Sequence, residues 1–195
     1  FAGGEITVQH VSLTHPSLPE RLTELQGRFV LSDGGTLFDQ VTGHFGDLAL
    51  QISGGITGGS DSTFQDFLIR VTGDADHMAK LLPSKAIPAG VIDGLVNGAV
   101  VLTGPTLSPH MRGEVVLTES KVTFPDLVEK PIGAQATVEF EGVIPQGSGV
   151  LLDRLELIVP PIRLPVKGKI QLGEQFSLDA ALSTGTLALS RVPEW

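Results

Sequence analysis

The stretch IRLPVKGKIQL, residues Ile162–Leu172, alternates apolar and polar residues over eleven consecutive positions. Successive side chains of a β-strand point to opposite faces of its sheet, so this pattern predicts a long strand with one apolar side. The same alternation recurs at residues 134–141 and 176–183, which predicts a large sheet with a single apolar face. Such a face has to be covered by a second sheet, by helices or by a bound apolar ligand, and that choice determines what the protein does.

Length and composition are those of a β-rich domain. The chain has 195 residues, enough for one large domain or for two half-sized units that share a sheet. Aromatic residues make up only 5%, so we expect an aliphatic interior, and Val, Leu and Ile favour a pleated surface. The 24 glycines and 13 prolines predict many strands joined by short turns.

Charge and cysteine content argue against several classes of function. A formal net charge of −9 gives little support to nucleic-acid binding or to attraction by an anionic membrane surface. Without cysteine the chain has no disulfide, thiolate nucleophile or Cys-ligated metal. No apolar run reaches the roughly 20 residues of a transmembrane helix. The chain begins inside a strand-like pattern, so we expect it to be a segment of a longer protein.

Strand-like segments fill most of the chain. Within residues 6–13 the apolar positions change from even to odd, and a bulge near Gln9 and His10 would restore a common face. About a dozen strands are predicted, several of them longer than the usual ~5–6 residues. Their predicted bounds are 5–14, 27–32, 37–41, 47–56, 64–72, 98–103, 113–124, 133–141, 151–159, 162–172, 176–183 and 186–191.

One segment, around residues 74–97, breaks the β pattern. Asp74 or Asp76 can cap a short helix that Pro83 ends. Pro88 then opens a second candidate helix, which a glycine C-cap would end. The sequence therefore predicts one or two short helices between two β-rich halves.

Three short matches relate the two halves, in order and at offsets of 109, 114 and 112 residues. They predict two repeats, about 4–97 and 98–191, inside one domain of residues 1–195. Chance similarity between Gly-punctuated strands is the alternative. The matched pairs are 4–8 with 113–117, 52–56 with 166–170, and 71–73 with 183–185.

One part of the chain resembles the C-terminal-type repeats of the AsmA-like superfamily. It consists of residues 102–109 (LTGPTLSP), the Gly-led segment 113–117 and residues 122–124 (VTF). In those repeats a strand ends in Gly-Pro, a loop carries Ser-Pro or a similar pair, and a Gly-led strand follows. Residues 73–76 (GDAD) with 81–83 (LLP) are similar to that family's short helix between repeats. The resemblance covers most of the chain.

This resemblance implies an envelope protein of a Gram-negative bacterium, with a long periplasmic β-groove whose inner face is apolar. It implies a parent protein anchored in the inner membrane, a function in phospholipid transport or outer-membrane homeostasis, and other envelope proteins as partners. The implied ligand is a phospholipid or another acyl lipid, and no cofactor is expected. Each CH₂ exposed to water costs about 0.8 kcal/mol, and this cost is the barrier to moving an acyl chain through water. A groove that shelters the chain removes the barrier, so transfer needs no chemical reaction.

Motifs for catalysis or metal binding are weak. The five histidines are scattered without the spacing of metal ligands, so no metal site is predicted. The glycine-rich residues 54–62 lack the following helix with Lys-Ser or Lys-Thr that a phosphate-binding loop needs, and a hairpin connection is expected there. No catalytic residue is predicted.

Charged residues fall on the polar positions of the alternating strands. Glu139 and Glu141 are expected to be solvated residues of the outer face rather than a glycosidase pair. Arg163, Lys167 and Lys169 share the polar side of the longest strand. They would complement the acidic residues if the strands pair, and contact with lipid head groups is the alternative.

The sequence as a whole predicts a mainly β protein, with a long, twisted, mostly antiparallel sheet curved into a groove or flattened tube. Its expected function is to bind or conduct lipid acyl chains along that groove. The residues predicted to line it are Val138, Phe140, Leu155, Leu157, Ile162, Leu164, Val166, Ile170, Leu172, Leu178 and Leu182.

Two other interpretations stay open. Two sheets could close on each other as a structural β-sandwich, with a dry core and a role as a scaffold or interaction domain without ligand. A carbohydrate-active enzyme is the third interpretation, but no acid, base or nucleophile can be named for it. We therefore expect a protein that is not an enzyme.

Overall fold

The computed structural model describes residues 3–15, 20–59, 61–81, 91–124, 128–146, 150–160, 162–172 and 177–182. Within them it contains thirteen β-strands and one short α-helix. The elements are β1 (Gly4–Leu13), β2 (Leu22–Ser32), β3 (Gly35–Phe45), β4 (Leu48–Thr57), β5 (Thr63–Asp74), α1 (Ala75–Leu81), β6 (Ile92–Pro105), β7 (His110–Val116), β8 (Ser120–Phe124), β9 (Val128–Lys130), β10 (Thr137–Val143), β11 (Val150–Val159), β12 (Ile162–Leu172) and β13 (Ser177–Leu182).

The strands form one long antiparallel sheet. Its order is β1-β2-β3-β4-β5-β6-β7-β10-β11-β12-β13, and β8 and β9 extend it sideways from the first residues of β6. The prediction of a mainly β protein built on a long antiparallel sheet is confirmed. The sheet is not closed, so of the two predicted forms, groove and flattened tube, it takes the open one. Among the described strands, β1 and β13 lie at its edges.

Bulges keep the apolar residues of several strands on one face. The bulge predicted near Gln9 and His10 is confirmed, because the pairing of β1 with β2 shifts between Val8 and Val11 and His10 has a positive φ of 51°. An extra residue in one strand switches every later side chain of that strand to the opposite face. Two apolar residues three positions apart, on either side of the bulge, therefore share a face.

The same arrangement recurs in three other strands. Register shifts separate Phe38 from Val41 in β3, Phe64 from Phe67 in β5, and Leu152 from Leu155 in β11. In β3 and β5 the residue before the second apolar one, Gln40 or Asp66, again has a positive φ. Bulges bend a strand and increase its twist, so this series gives the sheet its curvature.

The predicted helix after Asp74 is confirmed, and the second one is wrong. The Asp74 carboxylate accepts a hydrogen bond from the Asp76 amide at 2.9 Å, as a helix cap does. The residues from Ile92 onward belong to β6, which pairs with β5 over ten residue pairs, and Gly94 bends this strand with φ at 108°. Long-range pairing outweighs a short helix-like spacing. Pro83 and Pro88 lie outside the described residues.

The strand predicted at 113–124 is also wrong as a single element. It divides into β7 and β8, because the chain turns after Val116 and β8 leaves the main sheet to pair with β6 and β9. The short strand β9 has no counterpart in the prediction. The strand predicted at 186–191 and the repeat match at 183–185 lie outside the described residues, and the two-repeat organisation stays a prediction.

The described sheet is an open layer with a thin core. Among the described side chains only that of Ser120 is completely buried. All the described strands join one sheet or its extension, so no separate second sheet lies in this part of the chain. Apolar packing is concentrated in two clusters on one face.

Candidate functional site

The backbone register aligns the apolar residues of successive strands into three rows. In an antiparallel ladder, residues directly opposite each other lie on the same face, so each row crosses the sheet on one side. We call this side the apolar face. The first row is Val41, Ile52, Ile69, Val100, Gly113, Phe140, Leu155, Val166 and Leu182; the second is Gly43, Leu50, Val71, Gly98, Val115, Val138, Leu157 and Leu164; the third is Phe67, Leu102, Met111, Gly142, Leu152, Ile170 and Leu178.

The register brings the residues predicted to line the groove together on the apolar face. Nine of the eleven fall in the three rows, and the other two, Ile162 and Leu172, pair with Val159 and Val150. The side chains of four are described and are partly buried: Val138, Phe140, Leu155 and Leu157. For the other seven the structure describes the backbone only: Ile162, Leu164, Val166, Ile170, Leu172, Leu178 and Leu182.

The residues predicted to line the groove include none from the first half of this face. The Phe38 ring packs edge-on against Phe67, with ring centroids 5.0 Å apart, although the residues lie on β3 and β5. Gly54 of β4 lies opposite Phe38 and leaves room for this contact. Phe67 is buried with Leu102 and Met111 in the larger apolar cluster. The sequence signal for this half is the alternation of Leu50 with Ile52 and of Phe67 with Ile69, which bulges confine to short runs.

The opposite face carries charged residues in paired positions. Glu156 is buried between two arginines: Arg154 donates to it at 2.6 Å and Arg163 lies 3.6 Å away. The hydrogen bond from Arg154 is the main cause that lowers the pKa of Glu156 below its ordinary value. Arg154 also approaches Glu139, at 3.8 Å. Arg163 therefore complements an acidic residue of the neighbouring strand, but that residue is Glu156 rather than the expected Glu139 or Glu141.

A shallow depression of about 530 Å³ lies on this charged face. Arginine and glutamate side chains from β5, β7, β10 and β11 line it, with Leu68 and Val101 between them. Its charges of both signs interrupt the apolar side chains that line it and give no single-sign field for an ion. Glu141 is exposed and Glu139 is half-buried.

Possible metal ligands do not gather in the described residues: no group of three His, Cys, Asp or Glu side chains could hold a metal ion there. Two histidines instead each contact a single carboxylate. His10 Nδ1 is 2.6 Å from Glu24, and His77 Nδ1 is 3.4 Å from Asp47.

The one helix found in the described part of the chain is too short and too polar to cross a membrane. Comparisons with protein-family models, with curated proteins and with solved structures find no match to this chain. The resemblance to the AsmA-like superfamily thus rests on the sequence motifs alone.

Proposed function

We propose that this domain binds the acyl chains of phospholipids or similar lipids along the apolar face of its open sheet. The rows of apolar residues provide a continuous surface. In this proposal a bound lipid, rather than a second sheet or a layer of helices, shields that surface from water. In line with the sequence resemblance, we propose that the domain is a segment of a periplasmic protein of the bacterial envelope, with a role in phospholipid transport or outer-membrane homeostasis and with other envelope proteins as partners.

The observation that carries this proposal is the length of the apolar rows on a sheet that stays open. The first row runs from Val41 in β3 to Leu182 in β13 without a charged residue. Nine strands spaced about 4.8 Å apart make this face roughly 38 Å wide. Several residues of the rows, such as Ile52, Ile69 and Val100, are only half-buried, so part of this apolar surface is left to water, and apolar surface left exposed in a patch marks binding sites.

The energy available is sufficient for lipid binding. Burial of apolar surface contributes about 25 cal/mol per Å², so about 300 Å² of covered face and chain corresponds to about 7.5 kcal/mol before the cost of association is subtracted. The face needs no polar partners inside it, because an acyl chain has no hydrogen-bonding groups. This favours an acyl chain over a peptide, whose backbone amides would have to find partners.

A matched pair of variants tests the proposal. Val100 and Val101 are neighbours in β6 with similar exposure, but Val100 lies in the first row and Val101 lines the charged depression. We expect Val100→Asp to lose phospholipid, because an unpaired charge would lie against the acyl chain, and Val101→Asp to keep it. Co-purifying lipid is measured by extraction and mass spectrometry, and retained binding by titration with a fluorescent phosphatidylcholine.

Folding is checked by circular dichroism and thermal melting of both variants. If Val100→Asp does not fold, the isosteric pair Val100→Thr and Val101→Thr replaces it. Equal lipid binding by a folded pair would contradict the proposal. A folded wild-type protein that neither carries nor binds phospholipid would also contradict it and would favour the lipid-free scaffold.

A further inference from the structure

The two ends of the sheet differ in what they carry. Successive connections of an antiparallel sheet lie at alternate ends of the strands. One end, which we call the capped end, carries α1 between β5 and β6 and the β8–β9 hairpin between β7 and β10. The other, the turn end, is the side on which β2 connects to β3, β4 to β5, β6 to β7 and β10 to β11.

The capped end forms an apolar wall next to the second row of the apolar face. Ala75 of α1 and Val122 of β8 are buried in one cluster with Leu117. Val115 and Val138, which belong to the second row, pack against this cluster. The apolar face therefore continues at this end into α1 and β8 instead of opening to water.

Hydrogen bonds hold this wall in place. The completely buried Ser120 hydroxyl donates to the Leu95 carbonyl at 2.7 Å, which ties β8 to β6. The Lys130 ammonium, with only 5% of the residue exposed, donates to the carbonyls of Thr118, Ser120 and Pro131. Burial lowers the pKa of Lys130. A wall with satisfied polar groups is a fixed part of the fold rather than a lid.

The turn end carries both polar and apolar groups, and Leu107 in one of its turns is exposed. Partly buried apolar residues of the larger cluster reach it, including Ile56, Phe64 and Ile144. Beyond them the turns present hydroxyl groups: Ser62 and Thr106 lie 2.7 Å apart and join two neighbouring connections. A polar group beside water at this end keeps its hydration, so it avoids the cost of burial without partners.

We propose that a bound lipid lies with its acyl-chain ends against the capped end and its head group at the turn end. This inference rests on the proposed lipid-binding function and adds the direction in which the ligand lies. Between Gly98 and Gly104 of β6 the apolar face extends about 20 Å along the strand. A terminal methyl group gains contact with both the sheet and the wall, whereas a head group at the wall would lose its hydration without finding partners.

Two photoreactive lipids test the direction. Phosphatidylcholine with a diazirine at the end of an acyl chain and phosphatidylcholine with a diazirine on the head group are each bound to the full chain, irradiated and mapped by peptide mass spectrometry. We expect a several-fold excess of chain-end cross-links on the peptides of Val115, Val122 and Val138. Head-group cross-links should show the same excess on residues 58–62 and 106–109.

The outcomes separate the two proposals. Cross-links of both lipids on the apolar face with the same distribution, or with the reverse one, would overturn the direction and leave lipid binding standing. An absence of cross-links from either lipid on the apolar face would overturn both. As a control, Val122→Thr should reduce chain-end cross-links at the wall several-fold and leave the head-group sites unchanged.

Discussion

The ring of Phe140 lies across the backbone of Gly113. The two residues are opposite each other in β10 and β7, and a Cβ atom added at Gly113 would be 2.5 Å from Phe140 Cζ and even closer to the Ala99 carbonyl oxygen. Real Cβ atoms do not approach other atoms so closely. The aromatic ring thus fills the space above the glycine and keeps the first apolar row continuous where β7 has no side chain.

Gly113→Ala should therefore destabilise the fold by about 1–3 kcal/mol, because the ring and the neighbouring strand must both move. Urea unfolding followed by circular dichroism measures the change. Gly98→Ala is the matched control, since Gly98 lies on the same face and its added Cβ would meet nothing nearer than 3.9 Å. Equal stability of the two variants would contradict the close packing of Phe140 on Gly113.

A second prediction concerns the bulge in β3. Gln40 has φ at 51°, a left-handed conformation that β-branched residues tolerate poorly. Gln40→Ile should lower the free energy of unfolding by about 1–2 kcal/mol, and Gln40→Gly should not lower it. Gln51→Ile on the neighbouring strand is the control, because Gln51 has no positive φ. An equal loss in both isoleucine variants would argue against the bulge.

The buried hydroxyl of Ser120 gives a third prediction. Ser120→Ala leaves the Leu95 carbonyl without its donor and should cost about 1–3 kcal/mol in thermal or urea unfolding. Ser32 donates a longer hydrogen bond, 3.3 Å, to the Gly35 carbonyl at an exposed turn. Ser32→Ala should change stability by about 0.5 kcal/mol or less. Similar losses in both variants would mean that the capped end is not held as described.

The fourth prediction is a dependence on pH. Arg154 lowers the pKa of Glu156 in the folded state, so the folded protein holds this carboxyl proton less tightly than the unfolded chain. The contribution of this ion pair to the free energy of unfolding is present above pH 4.5, the ordinary pKa of the carboxyl group. It is lost as the pH falls through the lowered pKa of the folded state.

Glu156→Gln should accordingly flatten the fall in unfolding free energy between neutral and acidic pH. Some slope will remain, because Lys121 lowers the pKa of Glu129 in the same direction. The measurement is a series of urea titrations at several pH values. Identical slopes for wild type and Glu156→Gln would show that this ion pair does not couple to folding.

Local sequence patterns predicted most strands, because alternation depends only on the geometry of one strand. The shift of phase between Val8 and Val11 even located a bulge. The second helix failed for the opposite reason, since Ile92 and its neighbours have a helix-like spacing but are fixed by partners far away in the sequence, in β5 and β8. The β8–β9 hairpin was missed for the same reason.

The candidate site was predicted in part. Residues of β10 to β13 were found because their alternation is long, and the backbone register places them on one side of the ladder. Ile52 and Ile69 lie in alternating runs that bulges keep short, and neither they nor Val100 were among the predicted lining residues. The wall at the capped end depends on packing between elements separated in sequence, which no local pattern reports.

The most direct test of the lipid-binding account places a probe on each side of one strand. Because the chain has no cysteine, Ile69→Cys on the apolar face and Leu68→Cys on the charged face can each be labelled with bimane at a single site. Phosphatidylcholine with brominated acyl chains should quench bimane at position 69 strongly and at position 68 weakly. Equal quenching at the two positions, or none at either in a folded protein, would contradict the claim that acyl chains lie on the apolar face.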